Sequence, residues 1–546
     1  MIYKMFRSIH SNRRLAYQAP VNFLSSTGCT SNFSTVSSPS IVLLTAPTTY
    51  LPQYKQKAFY SSDPSLPELT KDRYGVKRGD YSQLNDDHIK YFTQLLGETR
   101  VLTDEDEVQS YNVDWIKNCR GYSKLVLKVR TTEEVSKILE FCNKERLAVC
   151  PQGGNTGLVG GSVPVHDEIV ISTTLMNNII SFDENSGILV CQAGCILEVL
   201  DSYLNEKGFM MPIDLGAKGS CNIGGNVSTN AGGLRLLRYG NLHGTVLGVE
   251  AVLANGEIVD CLSTLKKDNT GYHLKHLFIG SEGTLGLVTK VAINCPIKPR
   301  AINVAFLSLN SFEDILKTFK QAKQDLGEIL SSCEMMDQQS LAVVEENLKL
   351  RNPLNESSPF YMLIETSGSN MNHDEEKLNK FIETALEKGN ITNGIVTNEP
   401  GKVHTIWQLR ERITDGILKD GYTLKYDVTL PLEHFYSIVP DVTKRLGSLA
   451  IRVIGYGHIG DGNLHLNIST KQYSHEVMEL VEPYVFEYVS KLKGSVSSEH
   501  GIGFKKAHVI HYSKSRSALL LMKQLKNLMD PNKILNPYKV LPDEIK

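Results

Sequence analysis

Four residues near the end of the chain could do chemistry together. His458 and His465 flank a tight Gly460-Asp461-Gly462-Asn463 turn in GYGHIGDGNLHLNIS, and Glu499-His500 follows about thirty residues later. Two neutral imidazoles and one carboxylate form the three-protein-ligand set of a catalytic zinc site and leave one position open for substrate. If the 499–500 stretch is extended, Glu499 and His500 point to opposite faces, so one histidine stays free of metal to act as a base. His465 and Asn467 fall on one face of the strand expected after the turn. The bland alternative is a solvated hairpin with incidental histidines.

A second signal is glycine. Residues 151–250 hold 17 of the chain's 42 glycines. PQGGNTGLVGGS (Pro151–Ser162) could turn successive backbone N–H groups onto an anion such as a diphosphate. It is neither Gly-x-Gly-x-x-Gly nor a Walker loop, which disfavours NAD and nucleoside triphosphates. Two further loops, Ala217 to Asn226 running into Thr229-Asn230-Ala231-Gly232-Gly233, and Gly280 to Gly286, carry the same Gly, Ser, Asn and Thr mixture. Three such loops imply a large polar ligand touched mainly by backbone, and a flavin dinucleotide fits.

A third stretch, Trp407 to Pro431, carries Arg410, Thr414 and Lys425. Arg410 and Thr414 are four apart on an expected helix and so share a face. Lys425 is read as beginning a strand, while Arg412 and Lys419 are read as surface charges.

With Ala193-Gly194-Cys195 and IGGNVSTNAGGLRLLRYG, these motifs make the chain from about Asp114 to Pro542 resemble the vanillyl-alcohol oxidase superfamily of flavoenzymes. The resemblance implies FAD held by Gly153, Gly154, Asn155, Thr156, Gly157, Leu158, Gly160, Gly161 and Ser162. It extends that set to Gly194, to Pro212, Gly219, Ser220, Gly224, Gly225, Asn226, Thr229 and Asn230, and to Asn536. Some members link FAD covalently through a histidine in the first loop. No residue from Gly153 to Ser162 is His, so non-covalent FAD is expected. The same resemblance assigns a metal, Zn2+ or another divalent cation, to His458, His465 and Glu499. It gives proton abstraction to His500 and substrate binding to Arg410, Thr414, Lys425 and Asn467. Arg offers a planar carboxylate clamp and Lys a compact charge, so two cations suit a dianion.

The implied activity is oxidation of D-2-hydroxyglutarate to 2-oxoglutarate, with hydride transfer to the flavin and electrons passed on to an acceptor such as electron-transfer flavoprotein. Oxidation of D-lactate is the nearest alternative, although a monocarboxylate would not require both Arg410 and Lys425. A zinc hydrolase could use the His/Glu set with water, but would not need three glycine-rich loops.

The elements that must position these residues alternate between strand and helix. Leu125 to Val129 reads as a strand, and Thr131 to Glu134 as a capping-box helix start. Val135, Ile138, Leu139 and Cys142 keep helical spacing, and Ala148 to Cys150 is a second strand. Beyond a Pro/Lys boundary at Cys295 to Arg300, strand and helix pairs follow at Ile302–Leu307 with Phe312–Gln324 and at Phe360–Ile364 with Asp374–Leu386. Another pair lies near Tyr426 to Leu446, and a last helix at Ser517–Met529. The expected fold is α+β. A lead-in at 63–105 precedes an FAD-binding domain at 106–297, of the PCMH type as the resemblance implies, and an α+β cap with a largely antiparallel sheet at 298–500, and a segment at 501–546 returns to the FAD domain.

Composition limits the partners. Lys+Arg 58 against Asp+Glu 60 leaves no basic surface for nucleic acid, and no apolar run is long enough to span a bilayer. Residues 1–62 contain no acid, six Lys/Arg and many Ser and Thr, the composition of a mitochondrial transit peptide, so the matrix is the expected location. Without those six, 52 basic residues face 60 acidic ones. Ten cysteines without a Cys-x-x-Cys pair suit a reducing compartment. A homodimer is a further expectation.

Overall fold

The segment 422–470 shows how residue order becomes architecture. In Tyr422–Thr429 and Asn463–Thr470 apolar residues alternate with polar or charged ones. Successive strand side chains point to opposite faces, so each strand offers one greasy face and one chemically equipped face. The computed structural model, which describes residues 67–545, pairs these two strands antiparallel with Lys425 opposite Asn467 and Asp427 opposite His465. The expected targeting segment 1–62 lies outside the described residues.

These strands edge a seven-stranded, fully antiparallel sheet. Its order is Asn393–Thr397, Ala301–Leu309, Phe360–Gly368, Leu330–Asp337, Arg452–His458, Asn463–Thr470, Tyr422–Thr429. One face buries Ala305, Leu307, Leu424, Val428, Leu464 and Leu466 against helices Phe312–Asp325, Met371–Glu387, Ile438–Leu446 and His475–Lys491. The other packs Phe306, Tyr361, Leu363 and Ile454 against Gln338–Leu348, Pro400–Glu411 and Ile413–Leu418. That second face also carries Glu334, Lys425, Asp427, Tyr456, His458, His465 and Asn467.

Two further sheets precede it. Ile179–Asp183, Ile188–Gln192, Leu287–Asn294, Val246–Val252 and Ile258–Cys261 form an antiparallel five-stranded sheet in that order. The other runs Val101–Leu102, Val126–Lys128, Ile169–Ser172, Val149–Gln152 and is parallel except at its first pair. The end of the chain reaches back to it: Val149 N–H donates to Ile534 O (2.9 Å) and Asn536 N–H to Val149 O (2.8 Å). The nine described cysteines are all free. No helix among the described residues is long and apolar enough to cross a membrane.

Several local expectations need correction. The helix containing Arg410 ends at Glu411, and Thr414 belongs to a new helix, Ile413–Leu418. The i,i+4 argument therefore does not apply, and the two residues meet through a third. Lys425 lies inside a strand that begins at Tyr422. Only half of the capping box forms. Thr131 accepts from Glu134 N–H (3.2 Å), but the Glu134 carboxylate takes Arg130 N–H and the Arg100 guanidinium, each at 2.8 Å.

The returning segment is anchored by one buried ion pair. Lys526 donates to Asp530, Thr284 O and Leu535 O, while Asp530, fully buried, also accepts from Ile534 and Leu535 N–H. Removing one partner of such a pair leaves an uncompensated buried charge. Asp530→Ala should lower unfolding free energy by about 3–5 kcal/mol, read as a fall in chemical-denaturation midpoint at unchanged slope.

Candidate active site

Strand register assembles the polar face. Glu334 lies opposite His458, and Tyr456 opposite His465. Glu334, 1% exposed, accepts from His458 Nδ1 (2.8 Å) and from Arg410 Nε (2.8 Å). His458 Nε2 faces Glu499 Oε1 at 3.5 Å, and Glu499 Oε1 also accepts from Gly233 N–H at 3.0 Å. Burial pulls the His458 pKa down, but the carboxylates of Glu334 and Glu499 on either side overcome this and hold it well above its ordinary value. His465 is driven the other way, to about 3, by burial and then by His458 and Arg410. Burial pushes Glu499 up, yet His458 outweighs it and brings it to about 2.

The stretch carrying Glu499 and His500 is not extended. It bends around the fully buried Asp427, whose Oδ2 accepts from Ser498, Glu499 and His500 N–H at 3.1, 2.9 and 3.0 Å. Asp427 Oδ1 accepts from Asn463 Nδ2 at 2.8 Å. Burial would raise the Asp427 pKa, but His500, Lys506 and His465 hold it well below the carboxylate range. His500 Nδ1 lies 3.7 Å from Asp427 Oδ2, and its ring stacks on His465 at 6.0 Å.

Two donor sets have ligand atoms within 4.8 Å of one another: His458, His465 and Glu499, and Asp427, His465 and His500. The donor chemistry of the first suits a divalent cation, because Glu334 fixes the His458 tautomer and leaves Nε2 for a metal. The second set fits less well, because both Asp427 oxygens are already taken by protein hydrogens.

The glycine loops converge on one cleft. Gly153, Gly154, Asn155, Thr156, Gly157, Gly161, Ser162, Gly224, Gly225, Asn226 and Thr229 line it, as does His500. Asn222 and Asn226 are buried there with amide oxygens that find no protein partner, acceptors suited to a ligand rich in hydroxyl and N–H groups. The cradle therefore fits a flavin dinucleotide.

Other expected residues stand behind the lining. A Cβ on Gly194 would meet Thr173 O at 1.9 Å, and one on Gly160 would meet Cys119 Sγ at 2.7 Å. Leu158 O accepts from Lys505, and Asn230 Oδ1 from His243 N–H. Pro212 is buried outside the cleft, whereas Gly219 and Ser220 are exposed, the Ser220 carbonyl packing on Gly154. Asn536 ties loops together: its Nδ2 donates to Gly161 O and Glu282 O, and its Oδ1 accepts from Lys539. Glu282 and Gly283 also line the cleft and come from the third glycine loop. The expected FAD set omitted them although the loop itself was visible.

Beside the metal donors, Lys425 Nζ and Arg410 NH2 are buried without a partner. Burial, and then Lys505, lowers Lys425 to about 8. With Nε committed to Glu334, Arg410 can grip a carboxylate only through its terminal nitrogens. Tyr456 bridges the rest: its hydroxyl meets Thr414 Oγ1 at 2.9 Å and receives Asn467 Nδ2 at 3.0 Å. Glu334, Asp427 and Tyr456 were missed in the sequence because lone acids and tyrosines in strands carry no signal.

Two family models match, the FAD binding domain over residues 123–262 and the C-terminal domain of FAD linked oxidases over residues 298–540. The chain is 56% identical over 465 residues to a mitochondrial D-2-hydroxyglutarate dehydrogenase of Danio rerio, covering 85% of this chain and 87% of the relative. It is 48% identical over 477 residues to a putative mitochondrial D-lactate dehydrogenase of Schizosaccharomyces pombe, covering 84% and 91%. Among solved structures, p-cresol methylhydroxylase superposes with a TM-score of 0.69 at 16% identity over 87% of this chain and 98% of the other, which shows the PCMH-type fold alone.

Asp427→Ala should release the 498–500 bend. Amide hydrogen exchange at Ser498, Glu499 and His500 should speed up about tenfold or more by loss of charge-assisted hydrogen bonds, while the helix Met371–Glu387 keeps its protection.

Proposed function

This chain belongs to the FAD-linked D-2-hydroxyglutarate dehydrogenase family and is an FAD-dependent oxidoreductase; on that premise we propose that it oxidises D-2-hydroxyglutarate to 2-oxoglutarate with metal assistance and non-covalent FAD. The observation that carries this reading is the place of His500. It lines the flavin cleft and stacks on His465 of the metal-donor set, so one imidazole borders both halves of the reaction.

His458, His465 and Glu499 would hold the cation, zinc by ligand type, and the three glycine loops would hold FAD. When bound, the cation supplies a Lewis acid that acidifies the hydroxyl, and FAD supplies the hydride acceptor. His500 takes the hydroxyl proton: Nδ1 faces Asp427, which leaves Nε2 for the transfer. Asn467 binds the hydroxyl or the carboxylate next to it. Arg410, Thr414 and Lys425 bind carboxylate, the two unpartnered cationic nitrogens matching a dianion. Electrons then pass to a protein acceptor, electron-transfer flavoprotein in our reading. Relatives are named mitochondrial, and we place this chain in the matrix, with residues 1–62 as its targeting segment.

The D-lactate name of the Schizosaccharomyces pombe relative supplies the competing reading. A panel of D-2-hydroxy acids with an artificial electron acceptor separates the two. D-2-hydroxyglutarate should be turned over best, and preference for D-lactate would overturn the assignment. Lys425→Met should lower kcat/KM for D-2-hydroxyglutarate by about 10- to 150-fold, the span of one charged hydrogen bond, and change D-lactate turnover much less. Equal losses on both acids would move Lys425 to the shared end of the substrate.

Chelation should abolish turnover while the protein stays yellow, because the metal donors and the glycine loops are separate sets. His465→Ala should match the chelated protein. Acid precipitation should then release the flavin into the supernatant; flavin left on the pellet would mean a covalent link.

A further inference from the structure

We propose that Tyr456 is the positioning residue of the substrate site, ordering Asn467 and Thr414 into one directed hydrogen-bond chain that leaves the Thr414 hydroxyl hydrogen for the substrate carboxylate. The inference rests on the reaction proposed above and deepens it.

Tyr456 is 4% exposed and does not line the flavin cleft, so its action passes through its neighbours. A phenol has one hydrogen to give. The Asn467 amide can only donate through Nδ2, so at 3.0 Å the Tyr456 oxygen is the acceptor of that bond. A buried hydroxyl hydrogen left unpaired is costly, and Thr414 Oγ1 at 2.9 Å is the oxygen in reach to accept it. The direction then runs from Asn467 to Tyr456 to Thr414. Having accepted, Thr414 keeps its own hydrogen free to donate, which is the polarity an anionic substrate needs.

The ring does a second job. The Arg410 guanidinium lies over it at 4.7 Å while Nε is held by Glu334, so the cation is pinned on two sides and its unpartnered NH2 keeps one direction. Three residues expected to grip the substrate thus meet on one side chain, which reaches them from the strand Arg452–His458 while they come from two helices and the neighbouring strand.

The test uses holoenzyme. Tyr456→Phe keeps the ring under Arg410 and removes the hydroxyl. Binding of 2-oxoglutarate, followed by perturbation of the flavin spectrum, should weaken about tenfold and KM should rise in step. kcat should stay within about twofold, and flavin and metal content should not change. Thr414→Val should show a similar loss, and the double variant should lose less than the product of the two single losses, because both break one chain. Losses that multiply, an unchanged KM, or a fall in kcat with KM intact would each overturn the proposal. If the wild type turns over a different hydroxy acid, the reaction proposed above is wrong, and the same comparison run on that acid and its keto product still decides the role of Tyr456.

Discussion

The site depends on one buried carboxylate. Asp427 accepts three successive backbone N–H groups from residues 498–500, and this clasp bends the strand-free segment after Ser495 back onto the sheet. Without an acceptor for those three donors the segment would have no reason to leave water, because a buried N–H without a partner costs about 1–3 kcal/mol. Once bent, it sets Glu499 against His458 and His500 against His465. Lys506, buried a few residues later, donates to Val496 O and Asp427 O and closes the same turn from behind.

Glu334 does for the sheet interior what Asp427 does for the bend. A full negative charge with almost no exposure is tolerable only when paired and hydrogen-bonded, and it is shared between His458 and Arg410. The consequence is a row of polar contacts, Arg410, Glu334, His458, Glu499, in which each group fixes the next. One end of the row lies among the candidate metal donors and the other among the residues proposed to bind carboxylate, so the two cannot move independently. The pKa of the neighbouring His465 is lowered by burial and then by His458 and Arg410.

The glycine loops serve two ends. At Gly154, where a Cβ would sit 2.0 Å from Ser220 O, the missing side chain lets two loops approach. At Gly225 a Cβ would meet nothing within 4 Å, and the open side faces the cleft. Packing needs the first kind and a ligand the second, although both look alike in the chain. Asn536 belongs with the packing group, since its amide joins the first and third loops to the returning segment.

Much was legible in the residue order because it depends on local periodicity or on residue type. Alternation in 463–470 places His465 and Asn467 on one face, helical spacing marks Val135 to Cys142, and glycine density marks the cofactor half. What tertiary structure decided are pairings between positions far apart in the chain. Glu334 meets Arg410 and His458 across 76 and 124 residues, and Asp427 meets His500 across 73. Strand register brings those partners together, and register is set by the whole sheet's burial of its apolar face, not by any segment alone. For the same reason the break between the helices of Arg410 and Thr414 stayed hidden. Local spacing suggested one helix, but both residues are held by Tyr456, whose position belongs to the sheet.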